Sequence, residues 1–442
     1  MSPDDPLVVK LHQALPVALV LQALKATGKD NKRLARLPAA AVVVGMVLAG
    51  LFRHVSLANL LRLVGLCHPK KGNEELASGT LTEARKRLGT DPLHHLLKTT
   101  AALPVPPSAS RLFFGLRPVG LDGSKVRVCD SKENRAHFGG HRGSHGSSAY
   151  PLMRVMVLLD LASRKVMDAA MGAFAIAEQV LGLGLLSSVP PSSLVVMDKG
   201  FFSMVWLIRL RRMGQERHAL MPLRKGASYR VVRRLGPGDE LVEFKVSAKA
   251  KHHLKDPPDT FQMRVVTVHL PGWRPMRLAT TLLDAEKYPK QELALEYLGR
   301  WEVELALAEV KTTLLQRKEA LRSRLPELCK QEMLAVLVGY NVVRQQMTTR
   351  AERQRVAPNR LSFVGELECV RWEWIARLMA DPQVRRRMAE GDFGLELPPR
   401  REGRRCLREV KLGRSQFPSK GPRRSRAETQ AREAEEIERK AA

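Results

Sequence analysis

Apolar residues recur at helical spacing in three early stretches, Leu7 to Leu24, Pro38 to Phe52 and Ser56 to Leu66, so the chain is expected to open with helices. A polar break, Asn73 to Ser78, follows. Ser78 to Gly89 then reads as a short helix begun by Ser or Thr and stopped at glycine. Leu103-Pro-Val-Pro-Pro-Ser-Ala-Ser110 is a linker by composition. Beyond it the apolar runs shorten to strand length. Leu116 to Leu121 leads into Asp122-Gly123, which predicts a strand ending on a carboxylate with a turn behind it. Arg154 to Leu159 and Lys165 to Met171 flank a polar bend and predict a hairpin. Ala175 to Leu186 has helical periodicity. Leu194-Val-Val-Met-Asp198 is a fully apolar strand that also ends on a carboxylate, followed by a helix to about Arg212 and a strand from Arg217 to Leu223.

Strand, hairpin, helix, strand, helix, strand is the order expected of an RNase H-like α/β fold. From 224 to 287 the alternation stops. Tyr229 to Leu235, Glu240 to Val246, Gln262 to Leu270 and Pro275 to Leu283 read as strands between turns rich in Gly, Pro and Lys, a β-rich insertion. Helical patterning returns from about Leu314 to Met347 and from Leu361 to Leu378. The expected layout is a helical N-terminal domain at 1–102, the first part of the α/β core at 103–223, and the insertion at 224–287. The second part of the core with further helices follows at 288–380, then a basic helical C-terminal region at 381–442. From Arg400 to Arg426 that region is dominated by Arg and Lys, and it is expected to be frayed or disordered at its end.

Charge narrows the partner. The 442 residues carry 74 Lys and Arg against 45 Asp and Glu, a formal net charge of +29. Such an excess favours a polyanion, because Lys and Arg displace the counterions condensed on nucleic acid. It is spread along the chain rather than gathered in one amphipathic segment, as a membrane-surface protein would have it. The longest apolar run, Leu37 to Phe52, is broken by two glycines and falls short of the roughly 20 residues that span a bilayer. It reads as a buried helix, and no membrane partner is expected. Five scattered cysteines without a CxxC pair argue against a disulfide framework or zinc finger and fit a reducing cytoplasm.

The stretch from Tyr297 to Lys311, YLGRWEVELALAEVK, lacks proline, is rich in Glu, Leu and Ala, and predicts one helix. At about 100° per residue, Tyr297 lies roughly 20° to one side of Glu304, with Arg300 roughly 40° and Lys311 roughly 20° to the other. One face thus carries a phenol, a guanidinium, a carboxylate and an ammonium, which suits a surface meeting phosphate and metal; an amphipathic helix with incidental ion pairs is the plain alternative. The spacing Tyr-x2-Arg-x3-Glu-x6-Lys resembles the signature of DDE transposases of the insertion-sequence-4 family. Tyr297, Arg300, Glu304 and Lys311 match all four positions, with Trp301 a further match. Asp122-Gly-Ser resembles the family's first acidic motif, and Met197-Asp198-Lys-Gly-Phe-Phe its second. Lys199 stands where the family more often has Arg, keeping the charge but not a two-pronged grip on phosphate. The resemblance covers roughly residues 30 to 420.

Asp122, Asp198 and Glu304 are far apart in the chain, as suits ligands delivered by two strand ends and a helix. Three clustered carboxylates repel unless a cation neutralises them, so as a set they predict hard divalent ions, Mg2+ or Mn2+. A pair of ions can activate the attacking oxygen and stabilise the leaving oxygen of an in-line phosphoryl transfer. Asp130, Asp160 and Asp168 lie nearby and compete for these roles. The resemblance implies cut-and-paste transposition. Water nicks the transposon end, the freed 3′-OH forms a hairpin with the opposite strand, the hairpin is reopened, and the 3′-OH joins target DNA. It also implies a dimer on paired terminal inverted repeats. Arg300, Lys311 and Lys199 would meet DNA phosphates, with Tyr297 near the terminal one. Trp301 or Trp273 would stack on an unpaired base or else pack in a core. Arg85, Lys86 and Arg87 fit either a charged bundle face or a DNA-binding helix; the resemblance favours the latter. His137, His141 and His145 are spaced by four, but FGGHRGSHGSS is too glycine-rich for a zinc-binding helix and is expected to be a loop. A silent DNA-binding repressor of transposition and a two-metal nuclease remain alternatives.

Overall fold

In this computed structural model the described residues are 17–30, 37–65, 78–107, 110–143, 146–224, 226–270, 275–316 and 320–389. Among the described residues the N-terminal part holds five helices, α1 (Val17–Ala26), α2 (Ala39–Leu51), α3 (Leu57–Val64), α4 (Ser78–Leu88) and α5 (Asp91–Ala101). Their boundaries have local causes. The Ser56 side chain caps α3 by accepting from the Asn59 amide, and Gly65 ends it in the left-handed conformation. Gly89, at φ +70, does the same after α4. The apolar helix α2 is buried almost throughout. Among the described residues no helix is long and apolar enough to cross a membrane.

The centre of the molecule is a nine-stranded sheet. It begins with β1 (Arg117–Arg127), continues after the short helix α6 (Lys132–Phe138) with the hairpin β2 (Leu152–Asp160) and β3 (Val166–Ala173), and then passes through helix α7 (Glu178–Gly184). Next come β4 (Ser193–Met197), helix α8 (Met204–Arg212) and β5 (Arg217–Pro222). The remaining strands are β6 (Arg230–Gly236) and β7 (Asp239–Lys245), then, after helix α9 (Ala248–His252), β8 (Thr260–Val268) and β9 (Met276–Thr280). The order across the sheet is β3-β2-β1-β4-β5-β9-β8-β7-β6. β1, β4 and β5 are parallel, and the other pairs are antiparallel. The four strands between 224 and 287 therefore prolong one sheet through the β5–β9 pairing rather than forming a separate one.

Both faces of the sheet are covered, which is why the central strands read as unbroken apolar runs. All of β4 is buried. Val119 and Leu121 of β1, with Val195 and Met197 of β4, face a core completed by Trp206, Leu207 and Leu210 of α8. Leu194 and Val196 face the opposite core, which is continuous with α2 and α5. That second face is closed by helices α10 (Lys290–Leu298), α11 (Trp301–Ala308) and α12 (Pro326–Gln354), with α13 (Phe363–Ala380) and α14 (Pro382–Ala389) beyond. α12 crosses α2 closely: a Cβ on Gly50 would stand 3.1 Å from the Val336 backbone. The unit Pro398–Ala442 lies wholly outside the described residues, and of the expected basic region at 381–442 only the part up to Ala389, which includes α14, is described.

Three expectations change. The helical section expected from about Leu314 does not run on unbroken: Leu321 bridges Val128 beyond the end of β1, and α12 begins only at Pro326. β1 does not end at Asp122: it runs on to Arg127, because Gly123 to Arg127 stay paired with β2 after the parallel partner β4 has stopped at Met197. The stretch from Tyr297 to Lys311 is also not one uniform helix. Between α10 and α11 the amides of Gly299, Arg300, Glu302 and Val303 bond three residues back, a tightened turn. After Ala308 the helix widens into a π-helical segment, Glu309–Leu314, with Leu315 N reaching Val310 O at 2.9 Å. A constant 100° step thus fails at both ends of the motif.

Candidate active site

The parallel pairing of β1 and β4 ends at Leu121 opposite Met197. Asp122 and Asp198 are the next residue on each strand, which sets them side by side at the point where the two strands part. Asp198 opens a short turn, with Phe201 N bonded to its carbonyl at 3.0 Å. Glu304 arrives from above. α11 lies so close to β1 that a Cβ on Gly120 would stand 2.1 Å from Val303 Cγ2 and 2.8 Å from Leu161 Cδ2. Only a residue without a side chain permits that contact, and it brings the residue after Val303 within reach of the residue two beyond Gly120.

The three carboxylates feel one another. Burial, helped by Glu304 and Asp198, raises Asp122 to about 6 against the downward pull of the Gly123 amide, bonded to Oδ1 at 2.7 Å, and of Arg300. Arg300 bridges the cluster, its Nη2 lying 2.6 Å from Glu304 Oε1 and its Nη1 3.8 Å from Asp122 Oδ2. Its guanidinium carbon is 5.9 Å from the ring centres of both Tyr297 and Trp301. Arg300 also donates to the Tyr297 hydroxyl, whose pKa is raised, chiefly by burial. Chemically the donor set suits a hard divalent cation. In this arrangement, however, no three His, Cys, Asp or Glu among the described residues stand close enough to hold one ion.

Comparison with known proteins decides the family. The model described as "Insertion element 4 transposase N-terminal" matches residues 7–98, and that described as "Transposase DDE domain" matches residues 115–342. The transposase InsG for insertion sequence element IS4 of Escherichia coli K12 is 31% identical over 426 residues, 95% of each chain. The chain belongs to the insertion-sequence-4 family of DDE transposases. A putative transposase of the same organism, InsZ, is 27% identical over 224 residues, 49% of this chain and 72% of that one. A solved piggyBac transposase synaptic complex with hairpin DNA is more distantly similar, with 9% identity and a TM-score of 0.42 over 90% of this chain and 86% of that one.

The other candidate residues of this transposase sort by exposure and partners. Trp301 is 57% exposed, so it packs in no core. Lys199 is exposed directly after Asp198, and Lys311 is half-buried in the π-helical segment. Trp273 and His145 lie outside the described residues. His137 lies in the last turn of α6, which ends at Phe138, and His141 lies beyond the helix. Arg85 is not a free DNA contact: its Nη2 donates to Leu328 O at 2.8 Å and Ser323 Oγ at 3.0 Å, tying α4 to α12. The competing aspartates are spent on the fold. Asp160 holds Ser163 and Arg117, Asp130 holds Arg135, and Asp168 holds His94, Ser188 and Lys98.

A buried network that sequence reasoning missed flanks Glu304. Arg164, at the β2–β3 corner with φ +57, pairs with Glu302 and, at 3.1 Å, with Glu309. Arg344 and the Tyr340 hydroxyl, the latter at 2.9 Å, also bond Glu309. The clamp fixes the helix on either side of Glu304. Its one local sign was a run of three glutamates between 302 and 309, and nothing in the sequence linked them to a hairpin corner so far upstream.

Proposed function

We propose that this transposase carries out metal-dependent cut-and-paste transposition of an insertion sequence, with Asp122, Asp198 and Glu304 as its acidic triad. The observation that carries the reading is their approach to one another where β1 and β4 part beneath α11, under the Gly120–Val303 contact. The strand order β3-β2-β1-β4-β5, with β1, β4 and β5 parallel, supports an RNase H-like core, and β6 to β9 are its insertion. The three carboxylates would hold Mg2+ or Mn2+, two ions in the full complex. When bound, these ions supply activation of the attacking oxygen and stabilisation of the leaving oxygen. The residues around them do the positioning. Lys199, Lys311 and Arg300 meet phosphates through their positive charge, Tyr297 lies beside the terminal phosphate, and exposed Trp301 stacks on a base drawn from the end. Substrates are the terminal inverted repeats and target DNA, two ends are held by a homodimer, and the work is done on the chromosome in the cytoplasm.

The test is a labelled transposon end incubated with the protein, Mg2+ and supercoiled target. Nicked end, hairpin and joined product are expected from the wild type and none of them from Glu304→Gln or Asp198→Asn. Cuts without joining would instead make the protein a nuclease, and binding without cuts a repressor.

A further inference from the structure

The acidic cluster already contains a cation, and it belongs to the chain. Arg300 holds Glu304 at 2.6 Å and reaches Asp122 at 3.8 Å, with its side chain only 17% exposed. The pose is a compromise. Its Nε is shielded from solvent and has no hydrogen-bond partner, and a buried donor left unpaired costs about 1–3 kcal/mol. So the head of the side chain neutralises carboxylates while its neck goes unsatisfied. The oxygen it holds on Glu304, Oε1, is one a divalent ion would need, and the carboxylates do not yet close around a common point.

We propose that Arg300 is the resident counter-ion of the carboxylate cluster and that it and a divalent cation displace one another from Glu304. This rests on the metal-binding role proposed above for Asp122, Asp198 and Glu304. Three carboxylates in a half-buried setting need a positive charge nearby, and without metal the guanidinium supplies it. Once a metal ion takes Glu304, like charges face each other and Arg300 must leave. The aromatic faces of Tyr297 and Trp301 lie beside it and can carry its planar head outward. The partner that satisfies it there is a DNA phosphate. Metal entry and phosphate grip are therefore one event seen from two sides, and each strengthens the other by the same factor.

The test is a Mn2+ titration of the full-length, DNA-free protein by calorimetry and by the Mn2+ electron paramagnetic resonance signal. It compares wild type, Arg300→Ala, Arg300→Gln, and each of these combined with Asp198→Asn. Arg300→Gln keeps the bulk of the side chain, so the result does not hang on how the alanine variant folds. Both single variants are expected to bind Mn2+ roughly tenfold more tightly than wild type, and Asp198→Asn is expected to remove that binding. Equal or weaker binding in both single variants overturns the counter-ion role. If wild-type binding is nonetheless lost in Asp198→Asn, the metal site stands and only the role of Arg300 falls. Binding that ignores Asp198→Asn in every background overturns both.

Discussion

Asp122 and Asp168 lie on β1 and β3 with only β2 between them, and the chain treats them in opposite ways. Asp168 is 3% exposed, and burial alone would push its pKa up. Hydrogen bonds from His94 and Ser188, the charge of His94 and a bond from Lys98 at 3.0 Å outweigh that and hold it down to about 2. Its four partners include the Ala169 amide and draw α5 onto the sheet. Asp122 accepts one amide, faces two other carboxylates, shares a distant guanidinium and is pushed up to about 6. A carboxylate that its own chain satisfies is part of the fold. One that the chain leaves charged among its like is waiting for something from outside.

The contrast breaks most visibly by mutation. Asp198→Asn or Glu304→Gln should lower end cleavage at least 10³-fold, about 4 kcal/mol of barrier, with thermal stability unchanged or raised in Asp198→Asn because like-charge repulsion is relieved. Asp168→Asn should do the reverse: cleavage per folded molecule stays near wild type while chemical denaturation shows a loss of about 2 kcal/mol. Equal damage to cleavage from both kinds of variant would erase the distinction.

Next in size is Gly120→Ala. Its methyl would strike Val303 unless α11 lifts, which should cost about 1–3 kcal/mol of stability and about 10²-fold in cleavage through misplacement of Glu304. Wild-type cleavage by this variant would mean that the close approach does not set the triad.

The smallest effects sharpen the contrast through pH. Asp168 is depressed in the folded state, so its contribution is complete above the unfolded value near 4 and is lost as pH falls through about 2, some 2 kcal/mol in all. Asp122 has the opposite sign. The folded state keeps its proton up to about 6, so metal-free protein should lose about 2 kcal/mol as pH rises from 4 to 7. Urea denaturation across that range should show the loss in wild type and a flatter profile in Asp122→Asn.

Much of this was legible in the chain. The buried strand before Asp198 reads as an unbroken apolar run because both faces of the sheet are covered, and the four strands between 224 and 287 are bounded by Gly, Pro and Lys-rich turns. The Tyr-Arg-Glu-Lys spacing marked the helix that approaches β1. Other features depend on contacts between distant parts of the chain. That β1 outlasts Asp122 depends on pairing with β2, and the tightened turn at Gly299 and the π-helical segment after Ala308 break a period that residue types alone suggest is constant. Arg85 looked like a surface charge until α12 came to lie against it. Nothing local marks Gly120 as a contact point or sends Arg164 to Glu302 and Glu309.

The central claim, that these carboxylates ligate the ions that drive cleavage, is tested most directly by Asp198→Cys. A thiolate binds hard Mg2+ poorly and Mn2+ better. The account predicts that end cleavage by this variant is abolished in Mg2+ and substantially restored in Mn2+. A variant whose ratio of Mn2+ to Mg2+ activity matches wild type would contradict it.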